Sequence, residues 1–533
     1  MPDPKTPPKK QNWRFASLSS LRPAPRSFLH HPEPRAIGSF VRGEALLVHT
    51  FAFAGQRVEA PDCSIWNVRP PSAAFLEALQ NFSWLDDLAA LGDRAARQRA
   101  QHWLLEWIEG FGQQNGLGWH PALAGRRVIN WCAHAMFLLK GLSPKQSNAV
   151  FKSLGRHVNF LSNNWKNTPE GPGKVEALTG LIYAGLSLEG CEFALRPALK
   201  GLATTCTSWI GADGTIPTRN PEELADVFIL LTWASKLLTA NGHPVDPALE
   251  AAMARIAPGL RALRLGDGSL GRFHGGGRGA EGQLDQALSD AEIRGAPISC
   301  FMGYARLASG GITAIFDAAP PPDSNNAHQA PLAFELTAGR WPMLGNCGPG
   351  QRWGSGWATA SAKANAHNTL TLEGKSPTSA QVSIERANDL ESVWLTAISH
   401  GFAAEFNLLH ERRLLLATNG HHVTGEDRLY PRNPPAENTE PWASLSRPGR
   451  GQSFMLHFHL HPDVKAEKEA GAVVLTLPNR EAWAFKQEGG LLCLEPSLCL
   501  DRTHTEPRAT KQIVVAGRTL DYVGAIRWSF TKL

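Results

Sequence analysis

The sequence predicts an α+β protein of more than one domain, a helical N-terminal half followed by an antiparallel β-sandwich, and three observations predict it. The chain has 533 residues, well beyond a single typical domain. Apolar residues recur with a helical period over the first half and with the period of 2 of a strand over the second. Between the two lies a glycine-rich passage, GDGSLGRFHGGGRGAEG (266–282), that carries neither period. The expected division is a proline-rich, partly disordered lead-in over 1–42, a helical domain over 43–285 and a sandwich over 286–533.

Each element has its own signal. The stretch GEALLVHTFAFAGQRVEA (43–60) reads as β-like. Trp103, Leu104, Trp107, Ile108 and Phe111 mark one face of an amphipathic helix, and Val128, Trp131, Cys132, Ala135 and Leu139 repeat the pattern. Leu224, Val227, Phe228, Leu231 and Leu238 do so again. Turn signals at SPK (143–145), NTPEGPG (167–173) and GHPVD (242–246) are short, so the helices are expected to stack as antiparallel hairpins. Downstream come ITAIFDA, LAFEL, NTLTLEG, SVWLTAI, RRLLLAT, HHVTGEDRL, MLHFHLH, AVVLTLP, AWAFKQ and QIVVAG, short alternating runs with no helix between them. Asn419-Gly420 predicts a two-residue hairpin turn.

Composition excludes several classes. At 43% hydrophobic the chain is neither mainly disordered nor collagen-like. No apolar run is long enough to cross a membrane, so integral membrane association is not expected. The net charge of +5 is spread thinly, with no dense Lys/Arg stripe, which argues against a nucleic-acid partner. Eight scattered cysteines without a CxxC pair read as buried thiols in a reducing compartment. The basic start has no apolar h-region, so the expected location is cytoplasmic, with the cell envelope or periplasm as the alternative.

The order of elements and several passages resemble the heparinase II/III family of polysaccharide lyases. The resemblance runs from about Ala45 to the end. It is carried by WLDDLAALGDRAAR (84–97), GRRVINWCAHAMFLL (125–139), ALTGLIYAGLSLEG (177–190), DGTIPTRNPEEL (213–224) and FHGGGRG (273–279). In the second half GYARLASG (303–310), AHQAPLAFELTAG (327–339), AHNTLTLEG (366–374) and LHFHLHPDV (456–464) add to it. The resemblance implies an incomplete (α/α) toroid followed by a β-sandwich, with an anionic polysaccharide or oligosaccharide in the cleft between them. It further implies β-elimination at a uronate. Such a reaction needs a neutraliser for the carboxylate, a base for the α-proton and an acid for the leaving oxygen.

Carried over position by position, the family's Asn-His pair falls on Pro172 and Gly173, with Glu176 three residues on. Its catalytic Tyr falls on Glu223, after Arg219-Asn220-Pro221. Its His-x-His becomes Asn326-Ala327-His328, and His367 stands where the family has a His. The lyase reading therefore gives Arg219 and Asn326 to the carboxylate, His328 or His367 to the proton, and Glu176 or Glu223 to the leaving group. In some relatives the equivalents of His328, Asn346 and His367 hold zinc, and Asn is a poor ligand beside Asp.

Each candidate also has a plainer explanation. Arg219 suits a salt bridge at a helix start, and Glu222 and Glu223 suit the first turn of a helix. Tyr304 suits core packing with a hydrogen-bonded hydroxyl. His457, His459 and His461 alternate onto one strand face, as a metal pair or as a packed row. The amides of FHGGGRG suit either an anion cradle or a flexible connector. Trp165, Trp353 and Trp357 lie outside periodic faces and suit stacking on sugar rings. No GxSxG, HExxH or kinase set occurs. Two rivals to a lyase stay open, a catalytically degenerate glycan-binding or scaffold protein of the same fold and a glycoside hydrolase using the Glu pair.

Overall fold

The structure, a computed structural model, describes residues 23–113, 116, 118–378, 380–433, 451–501, 504, 506–519 and 523–533. Residues 1–22 of the expected lead-in lie outside these. The chain divides into two compact units. The first takes in the chain up to Ile210 with Asp226–Met253 and Asp285–Glu292. The second takes in Gly211–Ala225, Ala254–Leu284 and Ile293–Leu533.

Helices dominate up to Asp290. They are α1 (Phe40–Leu47), α2 (Ala73–Gln80), α3 (Trp84–Leu91), α4 (Arg94–Phe111), α5 (Pro121–Ala133), α6 (Ala135–Leu139), α7 (Pro144–Asn164), α8 (Pro172–Ser187), α9 (Leu195–Ser208), α10 (Pro221–Ala240), α11 (Pro247–Ala262) and α12 (Gln283–Asp290). The local sequence explains where they start. Asp93 accepts the Ala96 amide at the head of α4, and Ser143 and Gln146 form a capping box before α7 with Pro144 in its first turn. The stretch expected to be β-like is split. Ser39 caps α1 over its first half, and only Thr50–Phe53 (β1) and Gln56–Glu59 (β2) pair as a hairpin.

Two glycines let α5 and α8 touch backbone to backbone. A Cβ on Gly125 would lie 2.5 Å from the Glu176 carbonyl oxygen, and one on Gly180 would lie 2.7 Å from the Gly125 Cα. Two residues further along α5, Arg127 is fully buried. Its Nε donates to His157 Nε2 (2.9 Å), Nη1 to the Gln80 carbonyl (2.7 Å) and Nη2 to the Gly118 carbonyl (2.6 Å). The guanidinium stacks 4.5 Å from the Trp107 ring and 5.6 Å from that of Trp119. No carboxylate is among these partners, and burial pushes the group down to about 9. Trp119, 1% exposed, is therefore one wall of the pocket around this guanidinium.

The second unit holds the three larger sheets. A five-stranded sheet runs β3 (Cys300–Phe301), β4 (Tyr304–Ser309), β5 (Ile312–Asp317), β6 (Phe334–Ala338), β7 (Trp341–Leu344) in order. The remaining strands are β8 (Leu370–Leu372), β9 (Val382–Asn388), β10 (Ser392–Ser399), β11 (Leu408–Ala417), β12 (His422–Pro431), β13 (Ser453–His459), β14 (Lys465–Glu469), β15 (Ala472–Thr476), β16 (Ala482–Glu488), β17 (Leu491–Cys499), β18 (Arg508–Arg518) and β19 (Gly524–Lys532). They form an eight-stranded sheet ordered β14-β15-β16-β19-β12-β11-β10-β9 and a four-stranded sheet ordered β17-β18-β13-β8. Short helices α13 (Ser355–Ser361) and α14 (Ala403–Phe406) sit in connections. Every strand pairing is antiparallel.

All ten expected runs form strands, and the additions include the edge strands. β14 reads KAEKE and β17 carries Pro496, the composition that protects an open edge and erases the apolar alternation. The β11–β12 connection is longer than the expected two residues. Asn419 Oδ1 takes the His421 amide, and Gly420, at φ +71°, meets the backbone of Gly310 so closely that no Cβ fits. One apolar core joins the three sheets, with Phe334, Leu395, Leu414, Phe458, Trp528 and Phe530 all buried in it.

At its centre lies an ion pair. Arg412 donates through Nε and Nη2 to the two oxygens of Asp427 (2.8 and 3.2 Å) and through Nη1 to the carbonyls of Leu332 and Asn368 (2.8 and 2.6 Å). His410 Nε2 and Trp528 Nε1 complete the carboxylate's shell at 2.6 and 2.8 Å. Burial would raise Asp427, but Arg412 and His410 overcome it and hold the carboxyl down at about 2.

Arg127→Met should strand the Gln80 and Gly118 carbonyls and lower the unfolding free energy by about 3 kcal/mol. A shift of the urea midpoint checks this, and an unchanged midpoint would refute the keystone role.

Candidate functional site

Most of the sequence-predicted residues gather in the second unit, on the loops that flank β5, β6 and β8. Asn220 begins α10 as its cap, its Oδ1 taking the amides of Glu222 (3.0 Å) and Glu223 (3.2 Å), with Pro221 in the first turn. Just before it Arg219, in the left-handed region at φ +53°, directs its side chain toward the ends of β4 and β5. There Nη2 pairs with Asp317 and donates to the Gly303 carbonyl (3.0 Å), and Nε donates to the Met302 carbonyl (3.0 Å). Nη1 donates to the carbonyls of Pro320 and Ala319 (2.5 and 3.4 Å). The guanidinium lies 4.8 Å from the Tyr304 ring, and the Tyr304 hydroxyl donates to the Arg219 carbonyl (2.5 Å). Every face of the fork is therefore in use. Burial pushes the Tyr304 hydroxyl well above its ordinary range, so it is a poor acid or base.

Asp317 links Arg219 to three histidines. Its Oδ2 lies 3.4 Å from His274 Nε2. Burial alone would raise its carboxyl, but Arg219 and His274 hold it low. The His328 amide donates to His274 Nδ1 (3.0 Å), and the His274 amide lies 3.0 Å from His328 Nδ1. The Gly275 amide donates to His328 Nε2 (2.9 Å). His367 Nε2 sits 2.7 Å from His328 Nδ1, and His367 Nδ1 donates to the Lys363 carbonyl (2.9 Å). His274, His328 and His367 are each 2% exposed or less. Burial and the neighbouring His367 and His274 hold His328 well below the usual imidazole range, and burial pushes His367 down to about 4.

FHGGGRG is no flexible connector. Residues 271–274 are buried, and the amides of this passage cradle the protein's own acceptors. Arg272 N donates to Glu335 Oε2 (3.0 Å), Gly277 N to Glu222 Oε2 (2.8 Å), and the amides of His274 and Gly275 go to His328.

The residue that sequence reasoning missed is Asn368, beside His367. Its Nδ2 donates to the Phe334 carbonyl (2.8 Å), its Oδ1 takes the His459 amide (2.6 Å) and its own amide reaches Asn346 Oδ1 (3.1 Å). The only signal for it was its place in AHNT. Asn346 is spent in turn, since its Nδ2 donates to the Arg272 carbonyl (3.2 Å). That leaves two imidazoles of the triplet His328, Asn346 and His367, one fewer than the three protein ligands of an open zinc site, so the set as folded does not fit zinc. Among the described residues no group of three or more His, Cys, Asp and Glu is placed to hold a metal. His457 and His459 do share a face, ring planes 10° apart, but their nitrogens go to Thr371, Gln512, Ser497 and the Asn365 carbonyl.

At the surface of this unit Asn326 is exposed and its Oδ1 accepts from Gln351 Nε2 (3.3 Å), which joins it to the loop bearing Trp353 and, on α13, Trp357. Trp353 is half-buried and Trp357 is 37% exposed. Glu223, in the first turn of α10, is raised by burial.

Glu176 and Trp165 belong to the first unit. Glu176, on α8, is ion-paired to Arg126, whose guanidinium lies 5.4 Å from the Trp233 ring. Trp165 packs against Gly201 of α9, with Lys166 and Lys174 near its face at 5.7 and 5.9 Å. Pro172 opens α8 after Gly171, so the positions of the family's Asn-His pair offer no titratable side chain there.

Two expectations follow. An ordinary imidazole titrates near 6.5, whereas His367 is pushed down to about 4 and His459 to about 3. The unfolded chain thus binds protons the folded one does not, and stability should be complete above pH 6.5 and fall toward pH 4. Urea midpoints across this range check it, and His367→Gln should flatten the slope by about one proton. Arg219→Ala leaves the buried Asp317 with His274 alone beside it, and should cost about 3 kcal/mol. A free substrate clamp would leave the midpoint unmoved.

With the geometry established, comparison with known proteins adds three findings. Residues 301–529 match the family model described as heparinase II/III-like, C-terminal. FtsZ-localized protein C of Caulobacter vibrioides (strain NA1000 / CB15N) is 29% identical over 97% of this chain and 92% of its own length. Among solved structures, heparinase III superposes with a TM-score of 0.72 over 94% of this chain and 86% of its own, at 13% identity. A mutant of heparan sulfate lyase HepC from Pedobacter heparinus does so at 0.56, over 92% and 82%, at 14% identity. At such identities the solved structures speak for the fold, a toroid of helices followed by antiparallel sheets.

Proposed function

We propose that the chain, whose residues 301–529 match the heparinase II/III-like C-terminal model, is a member of that family whose lyase chemistry has lapsed, serving as a scaffold at an FtsZ-based assembly. One observation carries the first part. Arg219, His328 and His367, the residues that would neutralise a uronate and take its α-proton, direct their nitrogens to Asp317, to backbone groups and to one another. A base held at about 4 is also weakly matched to neutral operation. The second part rests on the full-length likeness to FtsZ-localized protein C. None of the eight cysteines is in a disulfide, which suits a reducing compartment. Among the described residues no helix is long and apolar enough to cross a membrane.

Elimination on an anionic glycan is the second reading. The 2.7 Å contact between His328 and His367, two positions that match the family, favours it, as does the exposed group of Asn326 and Trp357 in the same unit. A Glu-pair hydrolase has less support, because Glu176 is ion-paired to Arg126.

Purified protein incubated with a panel of uronate-containing polysaccharides should give no rise in the ultraviolet absorbance of an unsaturated uronate. The same protein should pellet with FtsZ polymers. A rise abolished by His367→Ala would establish the lyase reading instead, and failure to pellet would remove the scaffold assignment.

A further inference from the structure

The outer face of the eight-stranded sheet is a trough of about 1070 Å³. It lies on the other side of these strands from the Arg412–Asp427 pair, and it is independent of whether elimination occurs. Strand register sorts its lining into rows. In one row Trp394, Leu415, Thr424, Ser529 and Lys486 are successive neighbours from β10 to β16. In the next, Glu385, Thr396, Arg413, Glu426, Arg527 and Glu488 are neighbours from β9 to β16. A third pairs Ile398 with Glu411. Because side chains alternate along each strand, all three rows face the trough.

The first row is a half-buried indole flanked by leucine and small hydroxyls. The second alternates carboxylate and guanidinium, fixed by ion pairs from Glu426 to Arg428 (2.9 Å) and Arg527 (3.1 Å). Glu411 supplies the unsatisfied group. It is 8% exposed, and its Oε1 accepts no hydrogen bond, although Arg413 Nε approaches it to 2.9 Å without the alignment of one. A buried carboxylate oxygen left without a donor is costly, and a ligand hydroxyl entering the trough would supply one.

We propose that this trough binds a neutral oligosaccharide. A pyranose has a flat C–H face for Trp394 and an equatorial rim of hydroxyls, each donor and acceptor, for a row of alternating carboxylates and guanidiniums. Charge selects against an anionic chain, because Glu385, Glu411, Glu426 and Glu488 line the trough against Arg413, Lys486 and Arg527. A peptide strand would add to a sheet edge, not to this face. The volume suits a ligand pocket at the upper end of the usual range.

Isothermal titration of the full-length protein with cellohexaose, maltohexaose and chitohexaose tests it, with a heparin hexasaccharide as the anionic control. At least one neutral probe should bind, Trp394→Ala should weaken it about tenfold and Glu411→Gln should weaken it measurably. The heparin fragment should bind no better to the parent than to Trp394→Ala. If Trp394→Ala does not fold, Arg527→Gln at the exposed rim carries the same comparison. Absence of heat with all three neutral probes overturns the proposal, as does parent-like binding by the folded variants.

Discussion

The buried pair of Arg412 and Asp427 is the interaction on which the rest of the second unit depends. Two charges are brought into an apolar core, and they are tolerated because every polar atom around them is answered, by His410, Trp528 and the carbonyls of Leu332 and Asn368. Those two carbonyls belong to the segments entering β6 and β8. Arg412 therefore ties the large sheet to the loops that carry His328 and His367. From Asn368 the network continues through Asn346 to Arg272 and Glu335, and through the His459 amide to β13. The candidate site is an outgrowth of the core's own polar scaffold.

That continuity bears on chemistry. A catalytic group must keep a lone pair or a proton for the substrate, whereas a structural group gives its own to the fold. Here the balance lies with the fold. The glycine-rich passage has the amides to cradle an anion, and it cradles Glu335, Glu222 and His328. Arg219 has the fork to clamp a carboxylate, and it clamps Asp317. The same residue types that mark an elimination site are equally suited to locking loops together, and partners distinguish the two.

The outer sheet face shows the opposite condition. Trp394 and the charged row are set out by strand pairing and by ion pairs within the face, and Glu411 retains an oxygen that accepts no hydrogen bond. Polar potential is thus withdrawn from one side of the sandwich and left available on the other.

By itself the sequence determined the helical and sandwich halves, because hydrophobic periodicity is a local record of which face each element buries. It also placed all ten expected runs in strands and Glu222 and Glu223 in the first turn of a helix, since these depend on neighbours in the chain. It left out β14 and β17, whose edge positions demand charge or proline where a period would be read. Only the tertiary structure decided what the candidates do. Whether Arg219, His328, Asn346 and His367 have atoms to spare depends on groups dozens of residues away, Asp317, Gly275, Arg272 and Asn368 among them, and no spacing in the sequence records those contacts. The grouping of Gly211–Ala225 and Ala254–Leu284 with the sandwich strands was settled in the same way, by contacts between residues distant in the chain.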